Sequence, residues 1–422
     1  MDAPPARGAR AFALAVGVCA AVYIASRYAH RSGLINTSFY LGALGVLLYA
    51  VATRGRALTR LLESRLALAT VALLAMLAYS VQIAPEPGAA TGAFFKAHGH
   101  ALMIAVVVAC AAAEQRFAPL LLAALLAGAV PEMVRQIVHH WSQWRTTGQW
   151  SIQYELVREY GNAYGFYLPA CVAVLVAMRD RAWRIAAWVI AVAQTLLLLP
   201  TGFRGAWLGV GGGVLAIAVV ARSWRVVAAI AIVAVTGALA LALAVPGNVL
   251  SQRLEKGIDS GMRKETVWRP AAAMIVAHPF SGYGYGNDAL RDSYRSARAS
   301  HPEWGDPEWV RSAGWSAHSI YIAMWLRGGA FAFAALVWCL VEAMLVLVRS
   351  AREAPRPVDR ALALAALGTL VSVYVVHGLF EEKFWPPFGI PLGLALGLAA
   401  RRLDASGARA ARAGNRLAAA RP

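Results

Sequence analysis

The chain has 422 residues, of which 59% are hydrophobic and 15% are charged, and its mean hydropathy is +0.55. This composition excludes a soluble globular domain of the ordinary kind and indicates a protein that crosses a membrane several times. The formal net charge of +18 does not indicate nucleic-acid binding, because the basic residues are scattered among short segments between apolar runs.

The apolar runs predict that residues 1–422 form a single integral membrane domain of the all-α class, with about twelve spans. The predicted spans lie near 11–26, 38–52, 66–84, 101–113, 118–134, 164–178, 185–203, 205–221, 226–246, 319–348, 361–379 and 387–400. With the N-terminus in the cytoplasm, most Lys and Arg residues of the short loops fall on the cytoplasmic side. The positive-inside rule therefore predicts two cytoplasmic termini, including an Arg- and Ala-rich tail at 403–422.

Neither a disulfide nor a metal site is predicted. The four cysteines all lie within apolar runs, where cysteine behaves as a small hydrophobic residue. His98 and His100, like His139 and His140, lack further ligands at a metal-binding spacing. The sequence contains no phosphate-binding P-loop and no Asp-x-Asp motif for a metal-held nucleotide sugar. We therefore expect no metal and no cofactor.

A tight turn joins the predicted seventh and eighth spans and carries Arg204. Pro200 and Gly202 favour the turn, and Gly205 would let a bulky ligand approach the backbone beside Arg204. An arginine on the outer side runs against the positive-inside trend, and a guanidinium group suits pyrophosphate oxygens. The alternative is that Arg204 only reaches towards lipid headgroups.

The one long polar segment, residues 247–318, is predicted to be a large loop on the outer side that contains short helices. In it, Arg263, Trp268 and Arg269 precede a short apolar helix that would begin near Pro270. This helix would hold Arg263 and Trp268 close to the membrane, where they could contact a substrate. A solvated charge run at the start of an interfacial helix is the alternative.

Further along the loop, a Gly-x-Gly-x-Gly run at 282–286 predicts a tight turn that folds the loop back over the site. It is not a dinucleotide-binding motif, because no βαβ unit surrounds it. The next helix would begin at Asn287 and place Arg291, Arg295 and Arg298 on one face. That face is either exposed to solvent or a dock for a phosphorylated lipid acceptor.

His318 stands where the loop meets the tenth span and could accept a proton from a sugar hydroxyl. A purely structural histidine is the alternative. Arg327 lies about 12 Å deeper at ~1.5 Å per helical residue and precedes Gly328 and Gly329. Because an arginine inside the membrane needs a partner, we expect Arg327 to contact either Glu342 or a ligand phosphate.

These motifs together resemble the bacterial O-antigen ligases, within the wider O-antigen ligase and polymerase family. The resemblance covers roughly residues 201–329. It consists of the Phe203-Arg204-Gly205-Ala206-Trp207 turn, the Arg263, Trp268, Pro279, Gly282 and Gly284 run, and His318 and Tyr321 with Gly328-Gly329 behind them. Two positions depart from the family pattern: Ser319 stands where Asn is frequent, and Arg327 stands where an acidic residue is common.

The resemblance implies a metal-independent, inverting transfer of O-antigen from undecaprenyl pyrophosphate to lipid A-core at the periplasmic face of the bacterial inner membrane. It implies that Arg204 and Arg263 bind the diphosphate and that His318 activates the acceptor hydroxyl. Further candidate substrate-binding residues are Trp268, Arg269, Arg291, Arg295, Tyr321 and Arg327.

Three other functions remain open at this point. An O-antigen polymerase and a protein O-oligosaccharyltransferase would use the same type of donor. A transporter of lipid-linked glycans is disfavoured, because transporters place charges and broken helices near the membrane midplane, whereas the polar motifs of this sequence lie mainly at one surface.

Overall fold

The computed structural model describes residues 7–28, 32–147, 154–244, 267–304, 317–382 and 385–419. It is all-helical, which confirms the predicted all-α polytopic membrane class. In chain order the helices are α1 (Arg7–Ser26), α2 (Ser32–Ala52), α3 (Arg56–Leu62), α4 (Arg65–Gln82), α5 (Pro87–Phe94), α6 (His100–Ala113), α7 (Ala118–Ala127), α8 (Ala129–Thr147), α9 (Tyr154–Ala177), α10 (Arg181–Leu198), α11 (Arg204–Ala221), α12 (Trp224–Ala244), α13 (Arg269–Ala277), α14 (Asn287–Ala299), α15 (Ile320–Glu353), α16 (Pro357–Thr369) and α17 (Trp385–Ala419).

Short irregular turns connect some of these helices. Phe95–Gly99 and Leu370–Val376 are π-helical, whereas Gln115–Phe117, Leu199–Thr201 and His377–Leu379 are 3₁₀-helical. The second π-helical turn follows α16 directly and is followed in turn by His377–Leu379. This irregular stretch positions the residues of the candidate site described below.

Ten helical segments in the described part of the chain are long and apolar enough to cross a membrane. They coincide with ten of the predicted spans. The other two predicted spans, at 226–246 and 387–400, fall on α12 and α17. In α12 the apolar part, Trp224–Ala240, is shorter than the ten. Helix α17 continues to Ala419, so most of the predicted tail is helical.

Side-chain caps explain where several spans begin. Ser64 accepts a hydrogen bond from the Ala67 N–H at 3.1 Å before α4, and Asp180 accepts one from the Trp183 N–H at 3.1 Å before α10. Pro357 is the first residue of α16. It fits there because the missing N–H of proline would have no helical partner in the first turn.

Helices α6 and α17 approach each other closely through small residues. A Cβ atom built on three glycines of α17 would lie 2.2, 2.5 and 2.5 Å from three alanine carbonyl oxygens of α6. The pairs are Gly389 with Ala101, Gly393 with Ala105, and Gly397 with Ala109. The four-residue spacing places each set on one helix face. Only glycine permits this backbone approach, which is typical of small-residue packing between membrane helices.

Helix α15 is interrupted at Gly328 and Gly329, where Gly329 has φ 68°. The backbone N–H groups of Tyr283 and Gly284 donate to the Leu326 and Arg327 carbonyls at 2.7 and 3.0 Å. The Ala330 N–H donates to the Pro279 carbonyl at 2.8 Å. The backbone of residues 279–284 therefore replaces helical hydrogen bonds lost at the break, as irregular backbone within a membrane domain requires.

The described part of the long loop packs on the first turns of α15. Its helices α13 and α14 enclose a small hydrophobic cluster with the start of α15. The buried members are Val267, Ala271, Met274, Leu290, Tyr294, Trp304, Ala317, Ala323 and Leu326. This cluster fixes the loop against the helix that follows His318.

Candidate active site

Arg204 is the first residue of α11 and is exposed to solvent. The preceding turn reverses the chain at Gly202, which has φ 59° and therefore suits glycine. The Trp207 indole Nε1–H donates to the Leu198 carbonyl at 3.0 Å, which ties the start of α11 to the end of α10. The turn thus presents Arg204 at one end of the helix bundle from a fixed backbone.

Gly205 faces residues 377–382 in the structure. A Cβ atom built on Gly205 would lie 3.0 Å from His377 Cδ2 and 3.6 Å from Phe380 Cβ. The ring of Phe203 stands edge-on to the His377 ring, with centroids 5.0 Å apart. The sequence predicted that Gly205 admits a ligand to the backbone, whereas the structure shows that His377 occupies this space.

The residues around His318 contact the same 377–382 segment. A Cβ atom built on Gly378 would lie 2.7 Å from the Ile320 Cδ1 atom, at the start of α15. The 377–382 segment therefore contacts both Gly205, beside Arg204, and Ile320, two residues after His318. The structure brings these two predicted motifs to one end of the bundle.

The backbone of His318 has the left-handed φ of 48°, which is uncommon for a residue other than glycine. On one side, the Ala317 N–H donates to Glu382 Oε2 at 3.1 Å. On the other side, Ser319 is the N-cap of α15 and accepts a hydrogen bond from the Ile322 N–H at 3.5 Å. These flanking contacts hold a backbone conformation that is typical of functional sites.

Arg327 forms a buried ion pair with Glu382, and their side chains are only 7% and 6% exposed. The partner is thus neither of the two that the sequence suggested. Glu342 instead accepts a hydrogen bond from the Trp338 indole N–H at 3.4 Å, on the same helix. Glu382 reaches Arg327 because the chain after His377 folds back across the first turns of α15. We call this contact the Arg327–Glu382 pair.

Tyr285 contacts Arg327 of this pair, and His98 in turn contacts Tyr285. The Arg327 guanidinium lies 5.3 Å from the centre of the Tyr285 ring, within the range of a cation–π contact. The Tyr285 hydroxyl is hydrogen-bonded to His98 Nδ1 at 2.8 Å. Burial raises the pKa of the Tyr285 phenol, which keeps this hydroxyl protonated. A continuous set of polar contacts therefore runs from His98 to the backbone beside His318.

Tyr321 holds the π-helical turn Leu370–Val376 against α15. Its hydroxyl donates to the carbonyl oxygens of Tyr374 and Val375, at 3.0 and 3.1 Å. Carbonyl groups near the end of a helical turn have fewer helical N–H donors, and the Tyr321 hydroxyl supplies a donor at this point. The hydroxyl of this candidate substrate-binding residue is therefore used within the protein.

The other candidate residues of the loop have different surroundings. Trp268 is half-buried against the hydrophobic cluster, and its Nε1 atom has no hydrogen-bond partner among the described residues. Arg269 is exposed. Arg291 Nε lies 3.0 Å and Arg295 Nη1 lies 3.9 Å from Asp292 Oδ1. Arg263 lies outside the described residues, so its predicted role remains a prediction.

Helix α14 begins at Asn287 as predicted, after Gly286, which has φ 121°. Arg298, near its end, donates through Nε to the Trp304 carbonyl at 3.0 Å. Arg298 therefore fastens the chain that follows α14, while Arg291 and Arg295 stay near Asp292. The three arginines do not act as one uniform face.

No group of three or more His, Cys, Asp or Glu residues with the geometry of a metal site occurs in the part of the chain that the structure describes. The residues that sequence reasoning missed are Tyr285, His377 and Glu382. One signal could have indicated Glu382: the acidic pair 381–382 lies just beyond the predicted span 361–379, where an acidic side chain can neutralise an arginine at similar depth.

Comparisons with known proteins agree with the sequence resemblance. Residues 186–337 match the family described as "O-Antigen ligase". An O-antigen ligase of Salmonella typhimurium (strain LT2) is 25% identical over 242 residues, which cover 55% of this chain and 57% of the relative. The chain thus matches just over half the length of this relative. No solved structure matches. The resemblance to the O-antigen ligase family is confirmed.

Proposed function

Since the O-antigen ligase match over residues 186–337 includes Arg204, Arg263, His318 and Arg327, we propose that this protein is a membrane glycosyltransferase. It transfers O-antigen polysaccharide from undecaprenyl pyrophosphate to the lipid A-core acceptor, at the periplasmic face of the inner membrane. The observation that supports this most strongly is the contact of the 377–382 segment with both Gly205 and Ile320, because it brings the arginine turn and the His318 corner together.

The donor diphosphate binds at the start of α11 in this proposal. Arg204 is exposed there, and the first backbone N–H groups of a helix also favour an anion. Arg263 adds a second guanidinium group from the loop. Trp268, Arg269, Arg291 and Arg295 belong to the same loop and contact the glycan or the acceptor lipid.

His318 acts as the general base in the transfer step. The imidazole takes the proton of an acceptor hydroxyl while the hydroxyl oxygen attacks the anomeric carbon of the donor sugar. The bond from that carbon to the phosphate oxygen breaks, and the electron pair leaves with undecaprenyl pyrophosphate. A single displacement inverts the anomeric centre. The arginines stabilise the departing negative charge, so this scheme requires no metal ion.

The direct test uses purified protein in nanodiscs with the undecaprenyl pyrophosphate-linked donor. Lipid A-core is offered as acceptor in one reaction and a lipid-linked glycan in another, with the products separated on a gel. We expect a shift of lipid A-core that persists in chelator. Extension of the lipid-linked glycan alone would indicate the O-antigen polymerase, and loss of activity in chelator would contradict the metal-free step.

Membrane orientation is tested separately with reporter fusions. A reporter after Ser300 should read periplasmic, and one after Pro355 should read cytoplasmic, because α15 lies between them. Both reporters on one side would contradict the placement of His318 and Arg204 at the periplasmic face.

A further inference from the structure

A polar cavity lies at the opposite end of the helix bundle from His318. It has a volume of about 360 Å³ and is formed where α6 and α15 end, α16 begins and α17 passes. Its polar lining residues are Gln115, Ser350, Glu353, Asp359, Arg401, Arg402 and Asp404. The volume falls at the lower end of the range for small-ligand sites, about 300–1,000 Å³. We call it the α15–α17 cavity.

Arg401 is held rigidly in the wall of this cavity. Its guanidinium donates to Asp359 Oδ1 at 2.8 Å and to the carbonyls of Glu114 and Ala113 at 2.9 and 3.3 Å. Arg356 also donates to Asp359, at 2.7 and 3.0 Å, so this carboxylate pairs with two guanidinium groups. A guanidinium has five N–H donors. Three of the Arg401 N–H groups donate to these acceptors, and the other two have no acceptor among the described residues.

Ser350 is an unsatisfied polar group in the same wall. The residue is 7% exposed, and its Oγ atom has no hydrogen-bond partner in the described part of the chain. Serine within a helix commonly bonds the carbonyl four residues earlier, as Ser26 does here at 2.7 Å. A buried hydroxyl without a partner destabilises the folded protein, so its presence beside a cavity indicates a partner from outside the protein.

The rim of the cavity carries charges of both signs. Arg402 pairs with Glu353 at 2.8 Å. Asp404 is 54% exposed, and its contact with Arg60 is long, at 3.5 Å. Because acidic and basic groups are balanced around the opening, the wall does not favour a purely anionic ligand. It favours a ligand with a negative group and a positive group separated by a short chain.

We propose that the α15–α17 cavity binds the phosphoethanolamine headgroup of a membrane phospholipid. The phosphate accepts hydrogen bonds from Arg401 and the Ser350 hydroxyl, and the ammonium group lies between Glu353 and Asp404. A membrane lipid suits this position, because the cavity opens at the ends of two spanning helices and Leu398 contributes to its wall. The acyl chains remain outside in the bilayer. This inference does not depend on the proposed transfer reaction.

The test measures lipid binding to the delipidated full-length protein in detergent, by native mass spectrometry and by the unfolding temperature. The added lipids have identical acyl chains and ethanolamine, choline or glycerol headgroups. We expect saturable binding and a rise in unfolding temperature with the ethanolamine lipid only. Ser350→Ala should weaken binding about tenfold, because it removes one hydrogen bond to the charged phosphate.

Two further variants separate the roles of the wall and the rim. Ser350→Leu fills the cavity and should abolish binding, whereas Ser406→Leu, at an exposed position of the same end, should leave it unchanged. Asp404→Asn should remove the preference for ethanolamine over glycerol headgroups. Equal binding of all three lipids by the unaltered protein overturns the proposal, and so does unchanged affinity of Ser350→Ala or an unchanged headgroup preference of Asp404→Asn.

Soluble phosphoethanolamine tests the source of the headgroup. It should compete with the lipid only at a much higher concentration, because it lacks the acyl chains that remain in the membrane. Competition at the same concentration as the lipid would overturn the assignment to a membrane phospholipid.

Discussion

The interface between α6 and α17 and the break in α15 both depend on glycine, but in opposite ways. In the first, glycines at every fourth position of α17 let the backbones of the two helices approach each other closely. In the second, Gly329 has φ 68°, and a Cβ atom built on it would lie 1.9 Å from the Phe280 carbonyl oxygen. The interface between α6 and α17 is part of the helical scaffold, whereas the break in α15 creates room for polar groups.

The polar groups of the candidate site lie where the helices are irregular. The Arg327–Glu382 pair, the Tyr285 hydroxyl and the left-handed His318 backbone all lie around the break in α15 or the turn after α16. The irregular backbone of each segment is satisfied by contacts within the protein, as a membrane interior demands. Departures from regular structure are expected at functional sites, which supports the location of the candidate active site.

The largest effect is expected from replacing His318, which lies just before the interrupted helix α15. We expect His318→Ala to lower transfer about 10²–10⁴-fold, because a positioned general base contributes that much when the nucleophile is a poorly acidic hydroxyl. The protein should still insert and fold, since His318 is only half-buried. The measurement is the rate of lipid A-core modification by purified protein.

His301→Ala is the matched control, because His301 belongs to the same loop, its side chain is 45% exposed and its ring stacks on Trp304 with centroids 4.4 Å apart. It should retain transfer. Full activity of His318→Ala would reject the base assignment and leave the break as a purely structural feature.

Next in size is the effect of opening the Arg327–Glu382 pair. Removing one partner of a buried ion pair costs about 3–5 kcal/mol, because the other charge stays buried. Glu382→Gln should therefore lower the unfolding midpoint strongly. Arg60→Gln should not, since the Arg60–Asp404 pair is 52% and 54% exposed and such pairs contribute about 0–1 kcal/mol.

A double variant separates stability from positioning in this pair. Arg327→Met with Glu382→Leu should recover much of the stability, because hydrophobic residues can replace a buried pair. Transfer should remain low, since the carboxylate that accepts from the Ala317 N–H is lost. Recovery of both stability and transfer would show that Glu382 does not position the corner at His318.

The same pair marks the limit of what the sequence could predict. Hydropathy predicted about twelve spans, and ten of them coincide with helices long and apolar enough to cross a membrane, because a bilayer imposes a length and a composition on each helix. The break at 328–329 was not predicted, because two adjacent glycines in an apolar run do not by themselves show that a helix is interrupted. The partner of Arg327 was not predicted either, since Glu382 lies 55 residues away along the chain. Only the fold-back after α16 brings the two side chains together.

The packing of α6 on α17 was equally hidden, although its pattern is present in the sequence. Glycines at 389, 393 and 397 and alanines at 101, 105 and 109 have the same four-residue period. Each set predicts a small-residue face, but neither states which helix it meets. The sequence also did not show that His377 lies beside Gly205. The prediction that a ligand approaches the backbone at Gly205 therefore did not take His377 into account.

A smaller effect is expected at the arginine turn. Arg204→Ala should reduce transfer at least about tenfold without lowering the amount of inserted protein, because a charge-assisted hydrogen bond contributes roughly 1.5–3 kcal/mol. Arg204→Lys should also be impaired, since lysine lacks the planar fork. Arg263→Ala should behave like Arg204→Ala. Near-normal transfer by both alanine variants would favour the alternative that these arginines only contact headgroups.

The smallest expected effect tests the regular half of the comparison, through two Gly→Ala changes on the same helix. A Cβ atom on Gly393 would lie 2.5 Å from the Ala105 carbonyl oxygen, whereas one on Gly407 would meet nothing within 4 Å. Gly393→Ala should therefore cost about 1–3 kcal/mol through overpacking. Gly407→Ala should gain about 0.5–1 kcal/mol, because alanine favours helix more than glycine does.

Both variants should retain transfer, since neither glycine contacts the residues around the α15 break. The opposite signs are read from unfolding midpoints in one detergent. Equal midpoints would mean that α6 and α17 are not packed as closely as their backbones indicate.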